Sequence, residues 1–167
     1  MGEQANLSRA EANEKIQHIA KGEVGMLHTI ALDGRDVARP MSTSAVDDDG
    51  TLWFMTRDDS EKCRHLMLRS DVRLTYSVSS RSEYLTLEGE AALVRDAAKI
   101  SDLWSPLAKT WFPQGKEDPA IVLIRVTPRA GHYWDTKHNK MVQLVGMVVG
   151  ALTGKETDDS IEGSIRR

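Results

Sequence analysis

The chain has 167 residues, 40% hydrophobic and 28% charged, with a formal net charge of -3 at pH 7. That length builds one core without staples, and that balance describes an ordinary soluble globular domain. The slight negative charge argues against a nucleic-acid partner, which would show as a basic stripe, and a single cysteine, Cys63, excludes an intrachain disulfide and fits a reducing compartment. The opening "MGEQANLSRAEANEKIQ" is polar and mixed in charge, unlike a signal peptide, and no apolar run approaches the roughly 20 residues that span a bilayer. A cytoplasmic protein without a membrane partner is the expectation.

Residues 8 to 21 read as a short helix. Ser8 with Glu11 three places on forms a capping-box pattern, Ile16, Ile19 and Ala20 supply the apolar face, and Gly22 stops it. From Val24 the period changes to that of strands. Two β segments flank the turn signal Asp33-Gly34, and "DDDG" at 47–50 makes a second turn before the strand "TLWFMT". The three carboxylates of that turn lack the spacing of a calcium loop. After Ser60, "EKCRHLMLRS" predicts a helix with Cys63, Leu66 and Met67 on one face. "VRLTYSV" and "EYLTLEGEAALV" are strands, the second with Gly89 at a bulge position. Asp96 caps a further helix carrying Ile100, Leu103, Trp104 and Leu107, which Pro106 kinks or ends. "WFPQGKEDP" is loop, and "AIVLIRVTPRAGHYWD" is a last β region, broken near Pro128. "HNKMVQLVGMVVGALTG" is taken as helix, and residues 153–167 as a polar, flexible tail after a single domain over 1–152. Six strands with short helices at the edges fit a mostly antiparallel barrel rather than a parallel α/β sheet, which would need regular βαβ alternation.

The five histidines lack zinc spacing, so no metal site is expected. Cys63 reads as a small buried side chain, with His65 on a different face, rather than as a nucleophile. Neither a glycine-rich phosphate loop nor a nucleophile elbow is present. Trp104 belongs to a helix stripe. Of Trp53 and Phe54, adjacent on a strand, one must face away from the barrel interior. Trp111 and Trp134 stand beside loop or strand ends, where aromatics border pockets or partners.

The basic and hydroxylic residues form a stronger constellation. Arg39 precedes Pro40 in a strand of small and apolar neighbours, Thr56 ends the next strand, Ser60 caps the following helix, and Lys62 lies in its first turn. If the strands around "DDDG" pair, Arg39 approaches that helix start. A lysine at the positive end of a helix dipole is mildly unfavourable unless an anion is near. Outward-pointing amides, a hydroxyl, an ammonium and a guanidinium converging on one volume make a phosphate site. A solvated Lys62 paired with Asp58 or Asp59 is the other reading, and sequence physics leaves both open.

These residues stand within segments that resemble a known family. "RPMSTSAVDDDGTLWFMTRDDSEKCRHLMLRSDVRLTY", "YLTLEGEAALVRD", "LWSPLAKTWFPQGKEDP" and "LIRVTPRAGHYWD" are similar, in order and spacing, to the general stress protein branch of the flavin-nucleotide-binding split barrels, relatives of pyridoxamine 5'-phosphate oxidase. The resemblance covers roughly residues 10 to 150. It implies a mainly β fold, a six-stranded antiparallel split barrel with short flanking helices, forming a homodimer with FMN in two clefts at the interface. By position, Arg39 and Lys62 would bind the FMN phosphate with help from Ser60. Pro40 and Met41 would run along the flavin edge, and Met55 and Thr56 would contact the ring or ribityl chain. Tyr84 would lie near the flavin, and Trp111, Phe112 and Trp134 would wall the cleft, from the second subunit for some.

Two departures stand out. The oxidase relatives place a basic residue between the serine and the lysine, where this chain has Glu61. They also end in an arginine- and histidine-containing segment that grips the pyridoxal substrate, where this chain ends "GKETDDSIEGSIRR". The resemblance thus implies an FMN-binding oxidoreductase of stress physiology with no substrate assigned, and the missing end segment argues against vitamin B6 oxidation. A flavin carrier or redox sensor using the same pocket is the alternative, and a barrel adapted to haem or a deazaflavin is a third reading.

Overall fold

The computed structural model describes residues 3–136 and 160–166, with side chains over 7–135. Helix α1 (Arg9–Ala20) starts at a complete capping box: Glu11 N–H donates to Ser8 Oγ, and Ser8 N–H donates to Glu11 Oε2 at 2.8 Å. Gly22, at φ +75°, turns the chain out of it. Its buried face of Ala12, Ile16, Ile19 and Ala20 joins the main core.

Strands β2 (Val24–Ile30) and β3 (Asp36–Ser42) form the hairpin expected around Asp33-Gly34, and β4 (Ala45–Val46) pairs with β5 (Leu52–Arg57) across the "DDDG" turn. That turn is held by its own residues. Asp49 accepts from Thr51 N–H, and Asp47 accepts from the Trp53 indole at 2.7 Å and from Lys99 at 3.1 Å. Helix α2 (Glu61–Leu68) follows, then β6 (Asp71–Val78), β7 (Glu83–Val94), α3 (Ala97–Leu103), a 3-10 turn over Pro106–Thr110, and β8 (Ile121–Thr136). Strand β1 (Glu3–Asn6) and β9 (Ser160–Arg166) complete one sheet, ordered β1-β9-β8-β7-β6-β2-β3, with β5 on the first half of β8. The pairings are antiparallel except that of β1 with β9.

The sheet curls until β3 and β5 come within 8 Å, Cα to Cα, yet among the described residues no ladder joins them. That gap is the split of a split barrel. Inside the curl lies the main core, with Phe54, Leu27, Leu74, Leu87 and Ile124 fully enclosed. A second core of Trp53, Ile100, Phe112, Ile121 and Leu123 covers the opposite face of β5 and β8 under α3.

Several expectations need correction. All six expected strands form, and β1, β4 and β9 are added. Strand β9 replaces part of the expected flexible tail, because β8 beyond Pro128 offers a free edge to pair with, and backbone hydrogen bonds leave little trace in sequence. The expected helix between β8 and β9 lies outside the described residues. Strand β8 runs on through Pro128 instead of breaking; the register shift at Glu88/Gly89 absorbs one extra residue. A Cβ at Gly89 would stand 2.4 Å from the Thr127 carbonyl oxygen, so this crossing admits only glycine. Phe54 enters the main core and Trp53 faces away from the barrel interior, as expected of neighbours on a strand, and α3 covers that outer face so that both are buried. Leu107 is exposed, because Pro106 begins a separate 3-10 turn and takes it off the α3 stripe.

Candidate functional site

Alternation along β3 turns Asp36, Ala38, Pro40 and Ser42 outward and Val37, Arg39 and Met41 inward. Arg39 therefore enters the rim of the barrel, where a guanidinium needs partners. Its NH1 donates to Thr29 Oγ1 at 2.8 Å, and Thr29, on β2, is itself within 2.9 Å of His65 Nδ1 on α2. Arg39 NH2 is buried and has no hydrogen-bond partner among the described residues. The nearest acid is Glu61, whose Oε2 lies 3.7 Å away.

On the other side of the split, β5 turns Leu52, Phe54 and Thr56 inward. Lys62, in the first turn of α2, donates from Nζ to Thr56 Oγ1 at 2.9 Å. The ammonium is half-buried, and its pKa falls below the usual lysine value, first through burial and then, in the same direction, through repulsion from Arg39. Ser60 holds the N-cap position, but its hydroxyl turns to Cys63 Sγ at 3.3 Å and makes no cap hydrogen bond. The start of α2 thus lacks a side-chain acceptor, two cations stand close to each other, and one of them carries a buried, unused donor. Each of these observations asks for an anion, and a phosphate group fits all three. Arg39, Lys62 and the first turn of α2 are the groups that would hold it. Lys62 is not a solvated lysine paired with Asp58 or Asp59: Asp58 pairs with Arg95, and Asp59 with Arg57.

The remaining expected site residues fall on the outer face of the sheet, in the two cores and on an exposed loop. Pro40, Tyr84 and Trp134 lie on the outer face of the sheet. Tyr84 is 42% exposed and faces Trp134 across β7 and β8, and the Trp134 ring leans on His132 at 4.4 Å between centroids. Met41 points into the main core, so only its backbone borders the outside. Met55 packs with the second core, on the face of β5 opposite Thr56. Phe112 belongs to that same core, tilted against Trp104, so it anchors its loop from within instead of walling a cleft. Its neighbour Trp111 is 72% exposed.

Sequence reasoning missed Thr29 and His65. His65 is buried where Met67 was expected, and Met67 is exposed. The available signal was polar: a threonine at an inward strand position and a histidine one turn beyond Glu61. Among the described residues no cluster of three or more His, Cys, Asp or Glu side chains is placed to hold a metal, and no helix is long and apolar enough to cross a membrane.

The family model "Pyridoxamine 5'-phosphate oxidase like" matches residues 11–158. Protein bli-3 of Neurospora crassa is 26% identical over 128 residues, which cover 71% of this chain and 61% of that protein's length. A solved structure from Jannaschia sp. CCS1, named general stress protein 26, aligns with TM-score 0.75 at 23% identity over 94% of this chain and 96% of its own. The general stress FMN/FAD binding protein of Xanthomonas citri aligns with TM-score 0.63 at 23% identity, covering 78% of this chain and 90% of that one. These neighbours share the split-barrel fold, and the matched segment runs from the first turn of α1 through the whole of β8. The chain belongs to the pyridoxamine 5'-phosphate oxidase like family.

Proposed function

We propose that this chain binds FMN through the rim cluster, as a homodimer, and serves as an oxidoreductase toward a small molecule in stress physiology. The observation that carries the reading is the buried Arg39 nitrogen without a hydrogen-bond partner, beside half-buried Lys62 at an uncapped helix start. The flavin would supply hydride and electron transfer, and the protein orientation and charge. Arg39 and Lys62 grip the phosphate, with Ser60 beside them. Thr56 holds the Lys62 ammonium and borders the ribityl chain, whereas Met55, on the opposite face of β5, stays in the second core. The outer face of the sheet carries exposed Val24, Met26, Pro40 and Tyr84 beside half-buried Trp134, and these side chains support a second copy of the chain docking there. Pro40 and the Met41 backbone then follow the flavin edge, and Tyr84, Trp111 and Trp134 wall the cleft.

Titration of the purified protein with FMN, followed by flavin fluorescence and light scattering, tests the reading. One flavin per chain of a dimer is expected; a monomer that binds no flavin would contradict it. A carrier or redox sensor built on the same pocket is separated from an enzyme by turnover. NADH or NADPH should reduce the loaded protein faster than free FMN if it is an enzyme.

Glu61 tempers the site. Its carboxylate is exposed but lies close enough to Arg39 to oppose an incoming phosphate. Glu61→Gln is expected to tighten FMN by roughly two- to fivefold, the range of a partly exposed ion pair, and to leave riboflavin unchanged. Parallel titrations of both ligands check this.

A further inference from the structure

We infer that Thr29 and His65 are a buried positioning pair that aims Arg39 at its anion and fixes its spacing from Lys62; the inference rests on reading the rim cluster as a phosphate site. Thr29 is 0% exposed and His65 4%, in surroundings that include Leu27 and Leu66. A valine and a leucine there would fill similar space without burying polar atoms. The polar pair is therefore costly to the fold unless its hydrogen bonds serve something.

Proton accounting shows what they serve. A guanidinium can only donate, so Thr29 Oγ1 accepts from Arg39 NH1. His65 Nδ1, at 2.9 Å, is the other hydrogen-bond partner of Thr29 Oγ1, and we assign the single hydroxyl proton to that contact. That arrangement makes Nδ1 the acceptor and leaves Nε2 to carry the ring proton, on the side where Glu61 Oε1 stands 3.8 Å away. Held by NH1, the guanidinium keeps NH2 unspent for a ligand.

The topology gives the pair a second task. Arg39 belongs to the β2–β3 hairpin, whereas Lys62 and Thr56 belong to α2 and β5, across the split where β3 and β5 share no ladder. Past the end of β3 the chain meets β5 only from Ser44 onward, whose N–H donates to the Trp53 carbonyl at 2.8 Å, so beside Arg39 itself the Thr29–His65 bond is what ties β2 directly to α2. His65 lies one turn beyond Lys62 on the same helix, so one element carries one cation and locks the other.

The test compares FMN with riboflavin, since only FMN reports on the phosphate contact. Thr29→Val and His65→Leu should each reduce the wild-type preference for FMN by roughly fivefold or more, with riboflavin affinity kept. Thr29→Ser and His65→Asn, which restore a hydroxyl and an acceptor near the Nδ1 position, should keep the preference within about twofold of wild type. Nitrogen NMR of the ligand-free protein should show the His65 ring proton on Nε2. A preference unchanged in Thr29→Val and His65→Leu would overturn the inference and leave the phosphate reading standing, as would parallel loss of both ligands, which marks a packing role. A wild-type protein that binds riboflavin as well as FMN would overturn the phosphate reading and this inference together.

Discussion

Arg39→Ala is expected to weaken FMN binding by about ten- to a hundredfold while leaving riboflavin within a small factor. A charge-assisted hydrogen bond contributes about 1.5–3 kcal/mol, and every 1.4 kcal/mol is about tenfold in affinity. The same substitution should cost the ligand-free fold little. Its NH1 bond to Thr29 disappears, but Thr29 keeps His65, and the buried nitrogen without a partner is removed. Loss of ligand with retained stability distinguishes a binding residue from a structural one. Arg39→Lys should recover part of the affinity, since an ammonium supplies the charge without the two-pronged geometry. Isothermal titration with both ligands, next to urea unfolding of the ligand-free variants, measures both halves. Equal losses for FMN and riboflavin would remove Arg39 from the phosphate site.

Phe54→Ala is expected to be the most damaging single core change. Phe54 is fully buried in the main core, on the strand that presents Thr56 to Lys62, and pairs across the sheet with Ile124. Removing a buried phenyl ring costs about 3–5 kcal/mol, which is a large share of the roughly 5–15 kcal/mol that holds a domain folded. The urea midpoint should fall sharply with an unchanged slope, and Phe54→Leu should recover much of the loss. A shift of under about 1 kcal/mol would mean that the ring does not fill the barrel.

The barrel was largely legible because its local signals agree with one another. Capping at Ser8 and Glu11, glycines at the Asp33-Gly34 and "DDDG" turns, and alternation in β6 and β7 each point to the element found there. What escaped depends on tertiary contact. That Trp53 faces away from the barrel interior could be read from strand alternation, but not that α3 covers it, with Lys99 over its ring. Strand β9 is recruited by the edge of β8, which a polar tail does not announce. The site divides in the same way. A cation at a helix start pointed to Lys62, but the expected pairing of the Arg39 strand with residues 51–56 does not form: β3 pairs with β2 and faces β5 across the split without a ladder. Thr29 and His65 escaped, because their bond joins β2 to α2 over 36 positions of sequence, and a helix face chosen by hydrophobicity prefers Met67 to His65. Glu61, read from sequence as a missing phosphate contact, is in the structure a carboxylate standing beside the arginine that such a contact would assist.

The central claim is that the rim of the split barrel binds the phosphate of a flavin, and the FMN-to-riboflavin affinity ratio of the wild-type protein tests it most directly. Both ligands present the same ring and ribityl chain, so the ratio isolates the cluster of Arg39, Lys62 and the start of α2. We predict that FMN binds at least about tenfold more tightly than riboflavin, the effect of one charged hydrogen bond or more. Equal affinities, or no binding of either, would contradict it.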